Sequence, residues 1–252
     1  MSETANSTFD AKESRGQELR EKNTLAVRPR EAATLIIVRH DGPRPRILMG
    51  QRHENHKFMP NKFVFPGGRL DAADTRIKAV EDLSPATLDR LMKRMRGKPS
   101  PSRARALALA AIRETFEETG LVLGRKVEKP MTSKNKDWAD YFLNGVAPAL
   151  GKMEFIARAI TPPYRSKRFD TRFFIADAEL VQGDLQETRG SGELLGLHWL
   201  TVDDAKGLDL PNITRVILDE LDERLALPVA RQAERPVPFV FFRNGNPVRE
   251  HL

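Results

Sequence analysis

Two spacings of apolar residues alternate along the chain. Residues 33–38 read Ala-Thr-Leu-Ile-Ile-Val, and 46–50 read Arg-Ile-Leu-Met-Gly after the turn signal Asp41-Gly42-Pro43. Short β-branched runs split by such a turn predict two paired strands. Phe63-Val64-Phe65 is a third apolar run, stopped by Pro66-Gly67-Gly68, and further strand-like runs fall at 155–160, 172–176, 195–200 and 239–242. Helical spacing appears in three places. Ser84 precedes Pro85, and Leu88, Leu91, Met92 and Met95 follow on one stripe, which predicts a capped amphipathic helix over 84–95. After the break at 97–102, a longer helix of alanine, leucine and glutamate runs to Gly120, the residue type expected just past a helix end. Ile213, Val216, Ile217, Leu218 and Leu221 mark a third, from Asn212 to about Leu225. Strands and helices mixed without strict alternation predict an α/β chain with a mixed sheet between helices.

Residues 1–31 are polar and nearly free of large apolar side chains, so they are expected to form a mobile tail. Residues 32–252 are expected to form one domain, since 252 residues with 40% apolar content suffice for one substantial core. There is no cysteine, which excludes disulfides and thiolate chemistry and fits a reducing, cytoplasmic setting. No apolar run reaches the roughly 18–20 residues of a membrane span, and no signal peptide is expected. A net charge of +7 spread along the chain describes a solvated surface or attraction to an anionic ligand.

The chemistry concentrates in Arg113-Glu114-Thr115-Phe116-Glu117-Glu118-Thr119-Gly120-Leu121. Residues three and four apart share a helix face, so Glu114, Glu117 and Glu118 project together and repel one another. Leu109, Ile112 and Phe116 occupy another face, which would bury the helix and aim the carboxylates at a cleft. Hard ions such as Mg²⁺ or Mn²⁺ would relieve the repulsion, because they take carboxylate, water and phosphate oxygens. A solvated acidic face with Arg113 paired to Glu117 accounts for the same residues. Upstream, Gly67-Gly68 allows close backbone approach to an ion or phosphate, and Asp74 follows six positions later.

Together these two segments resemble the Nudix box: a Gly, five residues, Glu, seven residues, then Arg-Glu-apolar-x-x-Glu-Glu-x-Gly-apolar. Asp74 stands for the first Glu, and Thr115 stands where the family usually has an apolar residue. Between Asp74 and Arg113 lie 38 residues against the family's seven, so the box carries an insertion, placed at 75–103, that includes the 84–95 helix. Loop closure costs rise slowly with length, so such an insertion is tolerable where its ends return to the same place. The block from Gln51 to Asp74, the Arg168-Phe169-Asp170-Thr171-Arg172-Phe173-Phe174 stretch, and Glu193 ahead of His198-Trp199-Leu200 resemble the long-insert branch of the family, which includes a peroxisomal coenzyme A diphosphatase. The resemblance spans roughly 33–226.

The resemblance implies a Nudix-type α/β/α sandwich and metal-dependent hydrolysis of a P–O–P bridge in a nucleotide derivative. It implies Glu114, Glu117 and Glu118 as metal ligands, with the Gly67 carbonyl as a further one and Mg²⁺ or Mn²⁺ as cofactor. Arg113 would orient a glutamate by an ion pair. The general base would lie on the box helix or on a later loop, where Glu193 matches and Glu187 is the reserve. Arg52, Arg69, Lys167 and Arg168 are candidate phosphate contacts, because guanidinium forks suit phosphate oxygens. His53, His56 and His198 are not needed as ligands, and Trp199 reads as core. Arg52, Lys57 and Asn61 ahead of Phe65-Pro66-Gly67-Gly68 keep the spacing of a coenzyme-A-directed signature that has Arg, Arg and Gly there.

The implied substrate is coenzyme A or an acyl-coenzyme A, with ADP-ribose, NADH and dinucleoside polyphosphates as alternatives. A non-catalytic nucleotide-sensing module is a different-class alternative, which the intact glutamates disfavour. An RNA-directed hydrolase is a third, suggested by the pI of about 9.8 but lacking a basic stripe with interleaved aromatics. The expected partner is a small nucleotide diphosphate, with no nucleic acid or membrane, and a homodimer is allowed.

Overall fold

The computed structural model describes residues 27–55, 60–185 and 194–252. In chain order the elements are β1 (Arg30–Arg39), β2 (Arg46–Arg52), β3 (Phe63–Val64), β4 (Gly67–Arg69), a 3-10 turn (Asp74–Arg76), α1 (Pro85–Met92), α2 (Pro101–Thr119), β5 (Val122–Leu123), β6 (Arg125–Lys126), α3 (Lys136–Phe142), β7 (Val146–Ala147), β8 (Glu154–Ile160), β9 (Phe169–Asp177), a second 3-10 turn (Ala178–Leu180), β10 (Val181–Gln182), β11 (Leu194–Thr201), α4 (Val202–Lys206), α5 (Asn212–Leu225), α6 (Val229–Gln232), β12 (Pro238–Arg243) and β13 (Asn246–His251).

The main sheet is mixed and runs β11-β2-β1-β9-β8-β12-β13. β1 pairs parallel with β9 and β12 parallel with β8, and the other neighbours are antiparallel. β1 is buried on both faces because its alternating side chains serve two cores. Ala33, Leu35 and Ile37 join the core formed with α2 and α3, whereas Ile36 and Val38 join the one formed with Ile217, Leu218 and Leu221 of α5. This is the helix–sheet–helix sandwich expected from the sequence. None of the helices among the described residues is long and apolar enough to cross a membrane.

The sheet forks where the candidate site lies. β1 pairs with β2 at Val38 and Arg39, but with β4 from Ala32 to Thr34, while β2 turns away to pair with β3. The Gly67-Gly68 turn is thereby fixed against the strand, and a Cβ on Gly67 would fall 2.5 Å from the Ala33 carbonyl oxygen. Only glycine fits so close an approach.

The helices end where their chemistry says they should. Ser84 and Ser100 accept backbone N–H groups from Thr87 and Arg103, Pro85 and Pro101 follow them, and Gly120 closes α2 with φ 76°. α1 ends at Met92, short of the expected Met95: Lys93 leaves the helical region with ψ 128°, and Arg94 follows with a left-handed φ of 52°. Met95 is buried nonetheless.

One expectation changes. β1 begins at Arg30, so the end of the expected tail belongs to the sheet: Glu31 accepts from Arg103 Nε at 2.7 Å and Nη2 at 2.8 Å. Residues 1–26 of that tail lie outside the described residues. Within the insertion, Leu83, Leu91 and Met95 are part of the core over α2, and the loop after α1 is stitched to the sheet. Arg158 donates to the Arg94 carbonyl at 2.9 Å, Arg96 to that of Pro29 at 3.1 Å, and Arg103 to that of Arg96 at 2.7 Å. Arg158 also forms a fully buried two-pronged pair with Asp170, both bonds 2.8 Å.

The insertion therefore acts as a structural element. Leu91→Ala should lower unfolding free energy by about 2–5 kcal/mol through lost burial and the cavity left behind, read as a shifted urea midpoint. Deleting residues 76–102 should abolish cooperative unfolding; a well-folded deletion variant would contradict this placement.

Candidate active site

Arg113 is the centre of the cluster. Its guanidinium is buried in α2 and uses all five N–H donors. Nε and Nη2 reach the two oxygens of Asp74 at 2.9 and 3.1 Å, and Nη2 also donates to the Arg69 carbonyl at 2.8 Å. Nη1 donates to Glu114 Oε1 at 2.9 Å and Glu117 Oε1 at 2.6 Å. Burial disfavours the charge of Arg113, but Asp74, Glu114 and Glu117 outweigh it and raise its pKa above the ordinary value.

Asp74 stands where the resemblance has a glutamate, and its side chain is wholly buried. Besides Arg113 it accepts from Trp138 Nε1 at 2.8 Å and from the Asp71 backbone N–H at 2.8 Å. This carboxylate faces inward as an anchor. Glu118 is tied to the glycine turn: Gly67 N–H donates to its Oε2 at 2.8 Å. A Cβ on Gly68 would fall 2.2 Å from Glu114 Oε2, so the missing side chain is the room that carboxylate occupies. Thr115, at the position usually apolar, is fully buried, and its hydroxyl donates to the Ala111 carbonyl at 2.7 Å. That back-bond satisfies the group inside a core.

Crowding leaves a mark on the acids. Burial pushes the Glu114 pKa up to about 7, with Arg113 opposing and Glu117 and Asp74 adding to the rise. Burial also raises that of Glu117, where Asp137 of α3 and Asp74 add negative potential against Arg113. A divalent cation would relieve this repulsion, and the available oxygens are of the hard type that Mg²⁺ or Mn²⁺ takes. Among the described residues, no three carboxylate or imidazole side chains yet converge on one point at ligand spacing. The Oε1 atoms of Glu114 and Glu117 are instead held by Arg113.

The other candidates are placed as follows. Arg69 is exposed on β4, beside the glycine turn. Arg52 ends β2 and pairs with Leu194, the residue after Glu193. Lys167 is exposed in the turn before β9, whereas Arg168 donates to the carbonyls of Thr161 at 3.0 Å and Val27 at 2.9 Å. Arg168 thus holds the start of the sheet. Glu187, Glu193, His56 and Lys57 lie outside the described residues. Trp199 is half-buried against the α2-side core, with the Arg39 guanidinium 5.2 Å over its ring. Two surface hollows, of about 260 Å³ at the end of α2 and about 430 Å³ beside α3, are lined by none of the glutamates. Trp138, Asp137 and Asp71 were missed in the sequence. A short helix cap at Asn135 was the available signal, but only its packing on α2 brings Trp138 to Asp74.

No protein-family model matches the chain. The structure is similar to a NUDIX hydrolase from Alicyclobacillus acidocaldarius, with a TM-score of 0.57 and 25% identity over 77% of this chain and 90% of that one. A MutT protein from Methanosarcina mazei Go1 aligns over 81% of this chain and 100% of its own, at 14% identity and a TM-score of 0.47. The NUDIX domain of Shewanella oneidensis NrtR, solved with ADP ribose, aligns over 79% and 90% at 13% identity and a TM-score of 0.44. The fold is that of the Nudix hydrolases.

The raised Glu114 pKa makes a prediction for metal-free protein. A carboxyl that keeps its proton to about pH 7 when folded, but loses it near 4.5 when unfolded, stabilises the fold at low pH. That contribution fades as pH rises from about 4.5 to 7, by up to about 3 kcal/mol. Glu114→Gln should flatten this part of the stability–pH curve measured by urea unfolding in chelator; an unchanged slope would contradict the burial assigned to Glu114.

Proposed function

We propose that this chain is a Nudix diphosphatase, hydrolysing a diphosphate linkage in a nucleotide derivative with Mg²⁺ or Mn²⁺. One observation carries the reading: a 38-residue gap in sequence closes in space, so that Asp74, the glycine turn and the α2 glutamates meet around Arg113. A random acidic helix face would not bring a diglycine turn to its carboxylates.

In this reading Glu114, Glu117 and Glu118 hold the metal, with the Gly67 carbonyl as a further ligand. When bound, the ion neutralises diphosphate oxygens and lowers the pKa of an attacking water. Arg113 anchors one oxygen each of Glu114 and Glu117, which restricts the positions from which these carboxylates converge on the ion. Glu193 is the proposed general base, with Glu187 in reserve; both are carried by the resemblance. Arg52, Arg69 and Lys167 are proposed phosphate contacts. Arg168 is the weakest of the four, since its donors serve backbone carbonyls. Residues 32–252, insertion included, form the proposed catalytic domain.

The proposed substrate is coenzyme A or an acyl-coenzyme A, cleaved to 3′,5′-ADP and a 4′-phosphopantetheine product. Asn61 supports it: φ is 61° there, the left-handed conformation that the glycine of the coenzyme-A-directed signature would supply.

Glu117→Gln and Glu118→Gln should each cut turnover by more than about a hundredfold, while the melting temperature of metal-free protein stays level or rises. Full activity in both variants would end the metal-site assignment. Specificity constants for coenzyme A, dephospho-coenzyme A, ADP-ribose, NADH and a dinucleoside polyphosphate test the substrate. Coenzyme A should lead, and a clear preference for another would replace that choice within the same chemistry.

A further inference from the structure

We propose that Trp138 is a positioning residue for the α2 carboxylates, acting through Asp74 and Arg113 on the affinity for the divalent ion; this rests on the metal-site reading above. The chain of contacts is continuous. Trp138 is completely buried, and its Nε1–H donates to Asp74 Oδ1 at 2.8 Å. The same oxygen accepts from Arg113 Nε at 2.9 Å, and the other accepts from Arg113 Nη2 and from the Asp71 backbone. Arg113 then spends Nη1 on Glu114 and Glu117.

Geometry makes the indole more than packing. A planar guanidinium that donates through every N–H has no spare direction, so the plane of Asp74 sets where Nη1 points. Asp74 sits in the 3-10 turn at the mouth of the insertion, and a carboxylate there held by Arg113 alone could rotate with it. The indole N–H and the Asp71 amide hold one oxygen each, which fixes the carboxylate plane from the protein side.

Trp138 is itself locked. Asn135 caps α3 by accepting from the Trp138 backbone N–H at 3.0 Å, and the ring packs on Tyr141 and Phe142 with centroids 5.2 and 5.7 Å away. Tyr141 meets Phe116, which lies on α2 between Glu114 and Glu117, edge-on at 5.5 Å. Outer partners of metal ligands typically alter metal affinity by about 10–100-fold. Trp138 stands two contacts further out, so a loss of about 3–10-fold is expected.

The test compares Trp138→Phe with Tyr141→Phe. Each removes one buried hydrogen bond from the same aromatic cluster, but the Tyr141 hydroxyl donates to the Leu123 carbonyl and never meets Asp74. Both should lower the melting temperature. Direct Mn²⁺ titration followed by electron paramagnetic resonance should show Kd raised about 3–10-fold in Trp138→Phe and within about twofold of wild type in Tyr141→Phe. Should Trp138→Phe fail to fold, the indole N–H resonance of Trp138 in the wild-type chain serves instead, and it should shift on Mg²⁺ titration with the Kd of the site. Equal Mn²⁺ affinity in wild type and Trp138→Phe, equal weakening in both variants, or an indole resonance blind to Mg²⁺ would overturn the inference. Mn²⁺ binding by wild type that Glu117→Gln leaves unchanged would remove the metal site itself, and the inference with it.

Discussion

The site depends on one buried cation. Arg113 is nearly inaccessible, fully hydrogen-bonded and bordered by three carboxylates. An unpaired guanidinium there would be costly, and so would the unpaired acids. Each needs the other. Their mutual satisfaction lets a cluster of like charges persist on the second half of α2, and it joins three stretches of chain that would otherwise be independent: the glycine turn through the Arg69 carbonyl, the mouth of the insertion through Asp74, and α3 through Trp138.

The sheet supplies the frame for this arrangement. The fork between β2 and β4 opens beside β1, whose own apolar side chains are shared between two cores and leave it little freedom to move. Gly67 lies against that strand, and its amide faces Glu118. Such rigid support behind the carboxylates is what the proposed metal site requires.

The insertion is tolerated for a related reason. Its entrance is pinned by Asp74 and its exit runs into α2 through the Ser100 cap and the Arg103–Glu31 pair. Between these points Leu83, Leu91 and Met95 extend the same core that backs α2. An inserted segment whose ends are held and whose middle adds apolar burial stabilises the box it interrupts.

Local order was legible in the sequence. The longer strands, the Ser84 cap, the glycine end of α2 and the span of α5 depend on residues within a turn or two of one another, and alternation or helical spacing records them directly. The three glutamates were legible too, since i, i+3 and i+4 define a face wherever a helix forms. What tertiary structure decided lies at long range. Asp74 as an anchor 39 positions from Arg113, Trp138 at 64 positions from Asp74, and Glu31 inside the sheet beside Arg103 depend on how the sheet forks and how α3 lands on α2. No periodicity encodes such meetings, because they follow from the joint packing of segments whose individual patterns are silent about their partners.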